Sequence, residues 1–244
     1  MVTDPHGRIP EFSRDVHSLT ARALNAHLGR WEALWSSQRL SLVELVDAPD
    51  AWDKLVYTLT NPVEAGLVAR SAHWPGLRTR PIDVTREPRV FKRPRTRFFR
   101  RSGLPTKARL HLTVPPLLES CSAHTLAQEL QERVTAREAA IREKLEAAGR
   151  GFMGAHEVRR QRRDARPKTH ELRRGRHPAV ASRDRTRRLG ALERLRRFRD
   201  AYRAALERWR QRTGPVRFPE GTYKMRDYPG VVSDRAPPVS CQAA

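Results

Sequence analysis

Apolar positions recur at helical spacing in four stretches of the chain. In the first, Ser13 is placed to cap a helix reaching about Leu28, with Val16, Leu19, Ala23 and Leu24 on one face and Gly29 ending it. The second, AWDKLVYTLTN (51–61), has Asp50 as its cap and Trp52, Leu55, Val56 and Leu59 as its apolar face; Asn61-Pro62 is expected to stop or kink it. Ser122 opens a longer pattern that closes at Gly149, with Leu126, Leu130, Val134, Ile141 and Leu145 in register. The last runs from about Arg183 to Thr213 and carries Leu189, Leu192, Leu195, Tyr202, Leu206 and Trp209, its other faces being mostly arginine. The stripes of the two long segments predict an antiparallel helix pair.

Strand-like alternation is scarcer. RLSLVELVD (39–47) suits a short strand or extended arm, ARLHLTVPP (108–116) a single strand, and VRFPEGTYKMRDYPGVV (216–232) a β-turn pair. The pattern lapses in two places. Residues 77–107 mix proline, arginine and aromatics and read as a linker; residues 159–188 hold thirteen arginines and lysines, broken by Pro167 and Pro178. The expected organisation is a first part over 1–76, a linker over 77–107, a basic helical region over 108–230 and a disordered tail over 231–244. The expected fold is mainly α with few short strands.

Charge changes this picture more than size does. Among 244 residues the formal net charge is +22, while 38% of residues are hydrophobic and the mean hydropathy is −0.72. Such an excess calls for a polyanionic partner, with nucleic acid the default; arginine and alanine enrichment of this kind also follows from GC-rich coding DNA. Cys121 and Cys241 lie far apart with no CxxC pair, which argues against a zinc site or a disulfide framework and for a reducing compartment. With no apolar run of membrane-spanning length and no signal-peptide core, the expectation is a soluble, cytoplasmic protein without a membrane partner.

The candidate phosphate contacts are Arg30, Arg39 and Lys54, together with Lys92, Arg93, Arg95, Arg97, Arg100 and Arg101, which interleave with Phe91, Phe98 and Phe99 in FKRPRTRFFRR. Trp31 and Trp35, four apart, match one helical face and are expected to pack in a core rather than stack on bases. Tyr57 is read as a partly buried packing residue with its hydroxyl at the rim, and His111 as structural. No residue is assigned a catalytic or metal-binding role.

NPVEAGLV (61–68), followed by WPG (74–76), resembles the conserved tail of the REP-associated tyrosine transposases, single-tyrosine relatives of the HUH nucleases. NAHLGRWEALW (25–35), SLVELVD (41–47) and DKLVYTLTNPVEAGLV (53–68) keep the same register, so the resemblance covers about Val2 to Gly76. FPEGTYKMR (218–226) is similar to the added tail of a longer subgroup. The resemblance implies a ferredoxin-like α+β fold and the cutting and joining of single-stranded DNA hairpins at repeat elements. It implies two histidines around an apolar residue holding Mg or Mn, and a tyrosine that attacks the polarised phosphate. This chain departs from that pattern. None of its nine histidines forms His-x-His, Met1 stands three residues before Asp4-Pro5, and Thr20 and Ala23 occupy the positions where the tyrosine is sought. The expectation is therefore an N-terminally truncated, catalytically incomplete DNA-binding relative that holds no cofactor. The alternative is a repurposed non-enzymatic nucleic-acid-binding accessory protein or a gene remnant.

Overall fold

A computed structural model of the chain describes residues 1–4, 7–35, 41–95, 99, 105–162, 165, 178–212 and 214–233. Arg39, Arg97, Phe98, Arg100, Arg101 and Cys241, and most of the tail, lie outside the described residues. Among those described, the protein is mainly helical with short strands. It divides into two compact units, residues 44–93 with 105–183, and residues 2–43 with 94–104 and 184–244.

The first unit is built on α2 (Ala48–Glu64) packed against α3 (Ala123–Ala147). Both helices start where side-chain caps dictate. The Asp47 carboxylate accepts from the Asp50 N–H at 2.9 Å, and the Ser122 hydroxyl accepts from the Thr125 N–H at 3.0 Å. The apolar faces then meet in two clusters. Ala51 and Trp52 lie with Leu118, Leu126, Leu130 and Val134, and further along Val63 and Val68 lie with Ile141 and Leu145. Two of the partly buried residues at the second cluster are Trp74 and Phe152.

The NPVEAGLV stretch is the hinge of this packing. The helix does not stop at Asn61-Pro62 but runs to Glu64, two residues past the proline. The lost hydrogen bond of Pro62 is offset by what the extra turn achieves, since it carries Val63 to a fully buried position. Gly66 then takes φ of +71°, a left-handed value that suits glycine, and the chain folds back so that the Leu67 N–H donates to the Pro62 carbonyl at 3.0 Å. The carbonyls of Gly66 and Leu67 accept from the Met153 and Gly154 N–H groups at 2.9 Å each, tying the turn to the segment after α3.

Part of the Pro/Arg-rich stretch is docked rather than free. A 3-10 turn, Pro81–Thr85, packs on α3, with Val84 against the first cluster. Asp83 is buried inside this turn, accepting from the Arg80 N–H at 2.8 Å and from its guanidinium at 2.7 and 3.1 Å. Beyond it, β2 (Arg89–Lys92) pairs antiparallel with β3 (Lys107–Leu110). A short helix, α4 (Ala155–Arg160), follows α3. At the other end of the unit, β1 (Glu44–Leu45) pairs in parallel with β4 (Val180–Ala181). Asp47 fastens this join as well, accepting from the Ser182 hydroxyl at 2.6 Å, while Asp50 accepts from the Arg183 N–H at 3.0 Å.

The second unit contains α1 (Ile9–Leu28), α5 (Arg185–Arg210) and the parallel pair β5 (Val216–Phe218) and β6 (Val231–Ser233). Helix α1 starts four residues before Ser13 because Asp4 takes the capping role, its carboxylate accepting from the Arg8 and Ile9 N–H groups at 2.7 and 2.8 Å. It buries no residue, and Phe12, Val16 and Leu24 are exposed, so its apolar stripe is not the core face that its spacing suggested.

The expected pairing of the two long helices is replaced by two separate solutions. The α3 stripe faces α2 and the 81–85 turn. The lower part of the α5 stripe, Tyr202, Ala205, Leu206 and Trp209, packs on Val216, Phe218 and Met225. Only a short turn separates α5 from β5, so this contact closes a small loop at little entropic cost. Phe218 and Met225, at either end of the FPEGTYKMR segment, are its buried anchors.

Candidate nucleic-acid interface

The cations proposed from sequence fall into distinct surroundings. Arg30 is exposed just after α1 and pairs with Glu32 at 3.0 Å. Lys54 is exposed on α2 with its Nζ 5.4 Å above the Tyr57 ring. Lys92 ends β2 and is exposed, as is Arg95, whereas Arg93 is half-buried and its N–H donates to the Thr106 carbonyl at 2.9 Å. Lys92 and Arg93 thus sit together at one end of a two-stranded ribbon.

Two aromatic assignments are corrected. Trp31 is 90% exposed and Trp35 is 48% exposed, because the chain leaves the helix at Gly29, where φ is +63°. The spacing of the two tryptophans was helical, but the backbone between them is not. Trp35 is held by its indole N–H, which donates to the His17 carbonyl at 2.9 Å, and by an edge-on contact with the His17 ring. Tyr57 is likewise exposed rather than partly buried, since it lies off the α2 face that Trp52, Val56 and Val63 turn inward.

Of ARLHLTVPP only its first three residues, Ala108–Leu110, are strand, and the partner strand was missed in the sequence. RVFK, residues 89–92, supplies it and adds Arg89, Lys107 and Arg109 to the exposed cations. The Arg89 guanidinium stacks 5.2 Å from the Phe91 ring centre. No local sequence signal marks them: Arg89 and Lys92 are three apart and do not alternate, so these cations come together only through the strand pairing.

Helix α5 carries the other concentration of charge, with ten arginines against three acidic residues. Arg197 pairs with Glu193 at 3.1 Å, and Arg203 and Arg196 share Asp200 at 3.1 and 3.8 Å. These pairs are largely exposed and worth little to stability.

Between α2, α3 and residues 71–82 lies a groove of about 930 Å³. Most of its cations serve the fold. Arg142 donates to the Ala69 carbonyl at 3.2 Å, Arg78 to the Ser71 carbonyl at 3.4 Å, and Arg80 holds Asp83. Glu138, buried on α3, accepts from the Ser71 N–H at 2.7 Å and adds a negative charge to the groove wall. The groove is a seam between elements more than a phosphate cradle.

In the second unit, the Tyr223 hydroxyl is pushed above its ordinary range by burial and by its hydrogen bond to Glu11. The Glu11 carboxyl is lowered, chiefly by its hydrogen bond from Arg8. Among the described residues no group of three or more histidine, cysteine, aspartate or glutamate side chains is placed to hold a metal ion. No helix among them is long and apolar enough to cross a membrane. No family model, curated protein or solved structure matches the chain.

Proposed function

We propose that this chain is a DNA-binding protein of the REP-associated transposase type that does not itself cut DNA, and that it holds hairpin or single-stranded DNA mainly through phosphate contacts. The observation that carries this reading is the uneven charge of α5, whose ten arginines face three acids on a helix that buries only one stripe. A polyphosphate is the partner that such a surface suits. The NPVEAGLV resemblance supplies the kind of DNA, and the residues at Thr20 and Ala23 supply the reason to expect no cleavage. Binding of this sort needs no metal; Mg or Mn belongs to the cleavage step of intact relatives. A cytoplasmic setting fits the free thiol of Cys121. The non-enzymatic accessory protein is the second reading, favoured by the same missing tyrosine.

The test uses the full chain with a labelled DNA hairpin in Mg²⁺ or Mn²⁺. The expected result is a reversible complex in a band-shift assay and no covalent protein–DNA adduct on a denaturing gel. An adduct would overturn the non-cleaving part of the reading, and the absence of any complex would overturn the whole.

A further inference from the structure

The β2–β3 ribbon is unusual in burying nothing. All eight of its strand residues are exposed. A two-stranded ribbon of this kind is marginal in water unless something packs on it. Its register divides it cleanly, because cross-strand partners share a face. Val90 with Arg109 and Lys92 with Lys107 form one face; Arg89 with Leu110 and Phe91 with Ala108 form the other. There is no acidic residue in 89–95 or 105–110. Lys92, Lys107 and Arg109 form no ion pair with another described residue. Charged side chains also guard an exposed strand edge against pairing with other chains, but that role is served by either sign, and here only positive charge is used.

We infer that the β2–β3 ribbon enters the major groove of duplex DNA, such as the stem of a hairpin, with Lys92, Lys107 and Arg109 reaching the phosphates along its walls. The inference rests on the proposed DNA-binding function and names the element and the form of DNA. Size favours this partner. A two-stranded ribbon is about 5 Å from strand to strand and about 10 Å through its side chains, and the B-form major groove, about 12 Å wide, admits it. The deep, narrow major groove of A-form RNA does not, and the minor groove, about 6 Å wide, would take it only if the duplex were bent and widened, at a cost in deformation energy.

The full chain is compared with its K92Q/K107Q/R109Q variant on a DNA duplex, an unstructured single strand, an RNA duplex and acidic phospholipid vesicles. Because the three side chains are exposed, the melting temperature should be unchanged; K92R/K107R/R109K, which keeps the charge, should bind as the parent does. The triple glutamine variant should lose about tenfold or more in duplex affinity. The slope of log K against log salt should fall by roughly 2 to 3, at about 0.9 for each phosphate contact. Single-strand affinity should change little. A DNA duplex whose cytosines carry bulky glucosyl groups in the major groove should bind the parent several-fold more weakly, and this sensitivity should vanish in the variant. Unchanged duplex affinity, equal losses on duplex and single strand, indifference to the glucosyl groups, preference for the RNA duplex, or a loss seen only on vesicles would each overturn the ribbon's role. Those results leave DNA binding by the rest of the chain intact, whereas a parent protein that binds no DNA removes the proposed function as well.

Discussion

At Asp83 one carboxylate holds a turn together. Its pKa is lowered from the ordinary 3.8, first by the hydrogen bond from the Arg80 side chain and then by the Arg80 N–H and the nearby positive charges, against the opposing effect of burial. A carboxylate whose folded pKa is depressed contributes its full stabilisation above the unfolded value and loses it as pH falls through the folded one. The stability of the first unit should therefore decline below about pH 4 by this route. In Asp83→Asn that part of the decline should disappear while stability at pH 7 drops, as urea midpoints measured across the range would reveal. An unchanged acid limb in the variant would mean that other carboxylates carry it. Packing gives a second residue-level contrast. Leu130 is buried between α3 and α2 and Tyr57 is exposed, so Leu130→Ala should cost about 2–5 kcal/mol and Tyr57→Phe within about 0.5 kcal/mol in denaturant unfolding. A large loss from the tyrosine change would contradict its placement off the packed face.

Among the elements, the four longer helices were legible in the sequence, though α2 is capped by Asp47 rather than Asp50, and their partners were not. Ser122 marks the start of α3 as expected, and the long arginine-rich stripe of α5 lies within a few residues of its predicted span. A stripe states which face is apolar and nothing about what covers it. Thus α3 found α2 and the 81–85 turn, α5 found β5, and the stripe on α1 stayed largely in solvent. The ribbon was half missed because Val90 and Phe91 are adjacent, so 89–92 has no alternating apolar signal, and its pairing depends on residues fifteen or more positions away. Of the candidate interface, Lys92, Arg93 and Arg95 were read from composition, while Arg89, Lys107 and Arg109 emerge only from the pairing. The α2–α3 packing also bears on how the chain can be divided. Cutting after Gly76 would separate Trp52, Val63 and Val68 from Leu130, Ile141 and Leu145. Residues 1–76 alone should show little cooperative unfolding by circular dichroism, in contrast to residues 44–183; a sharp transition in the shorter piece would contradict a core shared across that boundary.

For the molecule as a whole, the excess charge of +22 dominates any account of its partner. On the proposed reading, arginines on α5 and on the ribbon would meet phosphates before base edges, so affinity should depend weakly on sequence and strongly on salt. The most direct measurement is the affinity of the full chain for a labelled DNA hairpin at 50, 100 and 200 mM salt. With several phosphates engaged, log K should fall linearly with log salt at about 0.9 per contact on the duplex stem, so that a fourfold rise in salt weakens binding by orders of magnitude. A shallow slope with tight, sequence-dependent binding would place recognition in a few specific base contacts, and no measurable binding at 50 mM salt would mean that the charge serves no DNA partner at all.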